Sequence, residues 1–219
     1  MLEYLVKGSW LMGPLLVCSI VAIAVIIDRI RAFRMAESDT FMLRQRVAGL
    51  LDSDKTDAAM AECRKHKGPV AAVMLAGLDK LQRLASLRRK NVEIAQNVTK
   101  TMEDYAPHVL EPLEKRLNLL SLVGMISPLL GMTGTVTGMI RSFNEIAGAA
   151  GAGGASTQAA AGGISEALIT TATGLLIALP ALVAHNLLVR RIDKFTLEIE
   201  AAQTDLNDYI SLKRAHGEE

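Results

Sequence analysis

Three strongly apolar stretches of the chain carry no charge at all. Gly8–Ile27 is an uncharged run of 20 residues, Leu117–Ile140 one of 24, and Ala167–Val189 one of 23. Roughly 20 apolar residues in helical form cross a hydrocarbon core about 30 Å thick. Lipid offers no partners to open backbone groups, so each run predicts a transmembrane helix. Residues 35–116 lack the alternation of a strand and read as helices with recognisable punctuation. Ser38 and Asp39 can cap the first of these, whose apolar residues include Phe41, Val47, Leu50 and Leu51. A second is predicted from near Asp54 to Gly68, and Pro69 opens a third that carries Val70–Leu84. A fourth spans roughly Arg88–Tyr105, with Pro107 and Pro112 expected to interrupt the chain beyond it. In the tail, Ile192, Phe195, Ile199, Ala202, Leu206 and Tyr209 recur at intervals of 3, 4, 3, 4 and 3. That narrow stripe suits packing on the chain's own helices or a bundle around an oligomer axis, and the periodicity does not separate the two. The predicted fold class is an all-α membrane protein: three transmembrane helices with long cytoplasmic helical extensions.

The charge pattern sets the orientation. Arg29, Arg31 and Arg34 follow the first run, Lys115 and Arg116 precede the second, and Arg190, Arg191 and Lys194 follow the third. All three groups fall on one side if the N-terminus is outside, as the positive-inside rule requires. A signal peptide would carry its positive end first, whereas here the cluster comes after the apolar run. The expected organisation is an external N-terminus at 1–8, transmembrane helix 9–28 and cytoplasmic helices 29–116. Next come transmembrane helix 117–144, an external hairpin 145–157, transmembrane helix 158–188 and a cytoplasmic C-terminal helix 189–219. The Gly-Ala-Ser stretch from Ala147 to Gly163 is expected to form a flexible hairpin.

Composition narrows the function classes. Only three formal charges, Arg141, Glu145 and Glu166, lie between Leu117 and Val189, while 17 of the 24 Lys+Arg lie between Asp28 and Arg116. A soluble domain spreads charge over its surface, so this split argues against one. A net charge of +1 gives no reason to expect nucleic acid. Cys18 and Cys63 sit in unlike surroundings and suggest neither a disulfide framework nor a zinc site. The four histidines are scattered without a ligand spacing. Gly131–Gly138 is not a phosphate loop, because no Gly-Lys-Ser/Thr comes after it and the segment is apolar. No enzyme, metal or cofactor is expected.

The candidate chemistry lies inside the second and third runs. Gly124, Pro128, Gly131, Thr135 and Gly138 share one helical face, as do Ala167, Thr171, Gly174, Ala178 and Ala181. Small residues on one face allow close approach of membrane helices, with Gly131, Gly138 and Gly174 as the packing stripe. Each stripe carries a hydroxyl, Thr135 or Thr171, and Thr133, Thr137, Thr170 and Thr173 sit nearby. Such hydroxyls often bond back to a carbonyl of their own helix. Glu166 is the one acid in the third span. A charge at a helix centre costs roughly 2.5–3.5 kcal/mol on insertion scales, and such residues usually face a bundle interior or a water path. A helix start near Thr157, with Ser156 as cap, places Glu166 well inside; a start at Ile164 would leave it at the interface. A protonatable carboxyl beside hydroxyls, without a basic partner in its span, is what a proton route needs.

SPLLGMTGTVTGMIRSF (Ser127–Phe143) and GGISEALITTATGLLIALPALVAHN (Gly162–Asn186) resemble the ExbB/TolQ/MotA family of proton-channel proteins. AMAECRKHKGPVAAVMLAGL (Ala59–Leu78) resembles the cytoplasmic region of its ExbB-like members. Three spans place the chain nearer ExbB or TolQ than the four-span flagellar stators. Thr137 stands where many relatives have an aromatic residue (GTVWG). The resemblance implies a subunit of a bacterial inner-membrane motor, a homo-oligomer and usually a pentamer. Its implied partners are an ExbD-like or TolR-like single-span protein, which would carry the essential carboxylate, and a TonB-like protein that takes up the movement. By motif, Thr135, Thr171 and Glu166 match residues of the family's proton path. TonB-type transport across the outer membrane is the leading load; TolQ-like envelope maintenance and gliding are alternatives. A passive scaffold and a lone small-solute channel are further ones, and the channel lacks the repeated spans it would favour.

Overall fold

The computed structural model describes residues 10–36, 40–85, 91–149 and 156–215, and among them every element is a helix. In chain order these are α1 (Met12–Ala36), α2 (Thr40–Asp52), α3 (Thr56–Lys65), α4 (Pro69–Ala85), α5 (Asn91–Glu114), α6 (Leu117–Ala149) and α7 (Ser156–Ala215). Three of them, α1, α6 and α7, contain stretches long and apolar enough to cross a membrane. The chain divides into two compact units. One holds residues 1–28 and 116–187, the other 29–115 and 188–219. The expected external N-terminus at 1–8 and the Ser38–Asp39 cap lie outside the described residues.

The second unit is built around α4, whose Val70, Val73, Met74, Leu78 and Leu81 are buried. α3 presents Ala59, Met60 and Cys63 to the core, and α5 presents Ile94, Val98, Met102 and Leu110. Gly77 marks the closest approach: a Cβ there would meet the Met102 sulfur at 2.6 Å and a Leu206 methyl at 3.1 Å. Of the two readings of the tail stripe, the structure selects packing on the chain's own helices. Ile192, Phe195, Ile199, Ala202 and Leu206 are all buried, and Phe195 stacks on Phe33 with ring centroids 6.2 Å apart. The stripe ends on Ile210 rather than Tyr209, whose hydroxyl donates to Asp54 Oδ1 at 3.1 Å. Asp54, at φ 55°, closes α2 in the left-handed conformation that favours glycine. Arg44 ties α2 to the tail through Glu198 at 3.4 Å and Asp205 at 2.7 Å. Cys63 is 1% exposed, and burial pushes its thiol up to about 11, so it stays protonated and inert, as a packing cysteine should.

Three expectations need correction. Pro107 and Pro112 do not interrupt the fourth water-facing helix; both lie inside α5, which runs to Glu114. Proline costs about 3 kcal/mol in a helix interior, but the buried stripe of α5 holds the helix together across both sites. The second water-facing helix ends at Lys65, three residues before Gly68, since His66 turns to an extended conformation ahead of Pro69. The Gly-Ala-Ser stretch is not hairpin throughout: 147–149 complete α6, and α7 has begun by Ser156.

The end of α5 explains one basic residue beyond its part in orientation. Arg29 is 6% exposed, and its Nη1 donates to the carbonyls of Pro112 at 2.9 Å and Leu113 at 3.4 Å. These carbonyls end a helix, where no intrahelical donor reaches them and the macrodipole favours a cation. Arg29→Ala is expected to destabilise the protein by about 2 kcal/mol, because two part-buried carbonyls lose a charged donor. A thermal scan of the detergent-purified protein would show the fall in Tm. Arg29→Lys should restore only part of it, lacking the guanidinium fork.

Candidate functional site

The first unit pairs α6 with the first part of α7 along a seam of small residues. A Cβ built on Gly174 would stand 2.5 Å from the Ser127 carbonyl oxygen and 3.3 Å from Gly131 Cα. One on Gly131 would stand 3.0 Å from Thr171 Cα, and one on Gly138 2.6 Å from the Ala167 side chain. The two helices therefore approach closely at Gly131, Gly138 and Gly174. The α6 seam runs one residue earlier than its intervals suggested in two places. Ser127 and Gly134 are buried, while Pro128 and Thr135 lie half-buried on its flank. On α7, Ala167, Thr170, Gly174, Ala178 and Ala181 are buried and Thr171 is half-buried.

The hydroxyls divide into two kinds. Those of Thr133, Thr135 and Thr137 donate to the carbonyls of Leu129, Met132 and Thr133, all on their own helix. Thr170 and Thr173 do the same, to Glu166 at 2.9 Å and Ile169 at 2.8 Å. Thr171 is different: its hydroxyl crosses to the Gly131 carbonyl on α6 at 2.7 Å. That bond joins the two spans where Gly131 brings their backbones together, a Cβ there standing 3.0 Å from Thr171 Cα.

Glu166 is half-buried on the first part of α7, and no hydrogen bond or ion pair reaches its carboxyl among the described residues. α7 begins at Ser156, so Glu166 lies almost three turns into the helix. At about 100° per residue, Glu166 and Thr173 lie within about 20° of each other, whereas Thr171 is about 140° away. Glu166 thus lies on the flank shared by Thr170 and Thr173; Thr170 packs against Gly134 of α6 from that side, and Thr171 bonds to α6 from the other.

Two residues escaped the sequence reading. Ser127 is fully buried, and its Oγ is the single buried side-chain polar atom without a partner among the described residues. Ser142 is 2% exposed, donates to Gly138, and fills the space beside Gly163. A signal was present: Ser127 lies three residues after Gly124 and four before Gly131, a spacing as good as that of Pro128.

Comparison with known proteins finds a match to the family described as the MotA/TolQ/ExbB proton channel family over residues 65–201. The chain is 29% identical to the Tol-Pal system protein TolQ of Haemophilus influenzae, over 88% of this chain and 80% of that protein. It is 32% identical to a biopolymer transport protein, ExbB-like 1, of Synechocystis, over 86% of this chain and 70% of that one. Over a shorter stretch of 102 residues it is 37% identical to the biopolymer transport protein exbB1 of Vibrio cholerae.

Proposed function

The chain belongs to the MotA/TolQ/ExbB proton channel family, and from that premise we propose that it is an ExbB-like subunit of a proton-driven motor in the bacterial inner membrane. Several copies, a pentamer by family likeness, surround the span of an ExbD-like single-span partner. Protons crossing at this boundary release about 2.3 kcal/mol per charge per 100 mV. A TonB-like protein takes up the resulting movement for transport across the outer membrane. The N-terminus is external, and the helices of 29–116 and 189–219 are cytoplasmic. The proton path uses Glu166, Thr135 and Thr171, with the α6–α7 seam as its rigid wall. The observation that carries this reading is a half-buried carboxyl without a hydrogen bond or ion pair among the described residues, on the flank of a seam that Thr171 locks to α6. Glu166 can take up and release a proton without breaking any bond that holds the pair.

A TolQ-like role in envelope maintenance is the second reading, favoured by the TolQ match over 88% of the chain. Both readings expect the same assembly. Native mass spectrometry of the detergent-extracted complex, with and without a co-expressed ExbD-like chain, should give a homo-oligomer that gains the partner. A monomer, or an oligomer that ignores the partner, would sink the motor and leave a scaffold.

A further inference from the structure

We propose that the membrane-proximal end of the second unit is a binding surface for anionic phospholipid headgroups. Two contacts bring three helices together there. Arg29 on α1 bonds to the final turn of α5, and Phe33 on α1 stacks on Phe195 of α7. Within five residues of these contacts along the chain stand Arg31 and Arg34 of α1, Lys115 just after α5, and Arg190 and Lys194 of α7, all exposed. None of these five side chains takes part in an ion pair or hydrogen bond among the described residues. Over residues 29–34, 111–115 and 190–194 the chain carries seven cations against three carboxylates, Glu111, Glu114 and Asp193.

The chemistry that fits is an anion carried on an apolar body. Ile30, 42% exposed, sits on the α1 surface beside Arg31 and one turn from Arg34. The uncharged runs end at Ile27, with Asp28 before the first cation of α1, and at Val189, immediately before the cations of α7. A phosphate headgroup would meet the arginines and lysines while its acyl chains remain in the bilayer. Cations clustered where spans leave the membrane on the cytoplasmic side attract anionic lipid, each adding severalfold to its affinity. Arginine suits phosphate further through its bidentate fork. This inference rests on the proposed orientation, with that end at the cytoplasmic leaflet. It does not depend on proton conduction or on the partner, so either can fail alone.

The full-length protein, purified and stripped of lipid in a neutral detergent, would be titrated with dioleoyl phosphatidylglycerol or dioleoyl phosphatidylcholine. The two lipids share acyl chains and differ in headgroup charge, and native mass spectrometry counts the lipid retained. Phosphatidylglycerol should be retained at least about tenfold better, and R31Q/R34Q/K194Q should lower its retention by at least about tenfold. The single variants Arg34→Gln and Lys194→Gln, each expected to cost about fivefold, stand in if the triple variant fails to assemble. Lys80→Gln with Lys100→Gln removes one half-buried and one exposed cation elsewhere in the unit and should change nothing. Equal retention of both lipids overturns the proposal. So does full retention by the charge variants, or an equal loss in the Lys80 and Lys100 control.

Discussion

Replacing Glu166 with glutamine is expected to cut proton flux in reconstituted complexes by at least about tenfold, a barrier increase of about 1.4 kcal/mol. The assembly should survive intact. Glutamine has nearly the same shape but cannot exchange a proton, and no hydrogen bond or ion pair among the described residues depends on the carboxyl. Thr170 bonds to the backbone carbonyl of Glu166, which the substitution leaves in place. A charge inside the span costs roughly 2.5–3.5 kcal/mol on insertion scales, so the variant should be as stable as the parent or more so. Lost flux with kept or raised Tm is the signature of a residue retained for its chemistry. Unchanged flux in Glu166→Gln would point to a scaffold. Glu166→Asp keeps the acid one methylene short and should fall between the two.

The larger structural effect is expected from one methyl group. Gly174→Ala places a Cβ 2.5 Å from the Ser127 carbonyl oxygen, with Gly131 Cα also within 3.3 Å. Both are backbone atoms of α6, so no side chain can swing aside. The helices must separate, and the Thr171–Gly131 bond at 2.7 Å spans that same gap. The cost combines overpacking with a broken interhelical bond, about 3 kcal/mol or more, and should appear as a much lower Tm and loss of assembled complex. Gly162→Ala is the paired control. Nothing lies within 4 Å of a Cβ there, and alanine gains about 0.5–1 kcal/mol of helix stability over glycine. If Gly174→Ala behaved like Gly162→Ala, the seam would not hold the two spans together.

Much of this protein was legible because lipid and water sort residues by simple rules. Uncharged runs announced the three spans, and the class of fold came with them. Glycines at helical intervals announced the face on which two spans meet. The legible part stops at the resolution of a helical turn. Residues one apart differ by about 100°, so Pro128 and Ser127 fitted the intervals about equally well, and packing against α7 chose Ser127. The same ambiguity placed Thr135 on the stripe, whereas Gly134 occupies it. Proline rules also failed at Pro107 and Pro112, because they describe the local cost and omit the core that α5 shares with α4.

Residue types and their spacing were enough to establish which segments are apolar enough for a membrane, which end of each carries cations, and which positions are small or protonatable. These are properties of single residues along the chain, and they need no neighbour to be read. Packing in three dimensions was required to establish that Thr171 bonds across to Gly131 while its neighbours bond within their own helices. The same holds for the tail stripe, which packs on the chain's own helices, and for Arg29, which ends α5. Each of those outcomes depends on what a second element presents at the point of contact, which local spacing cannot encode.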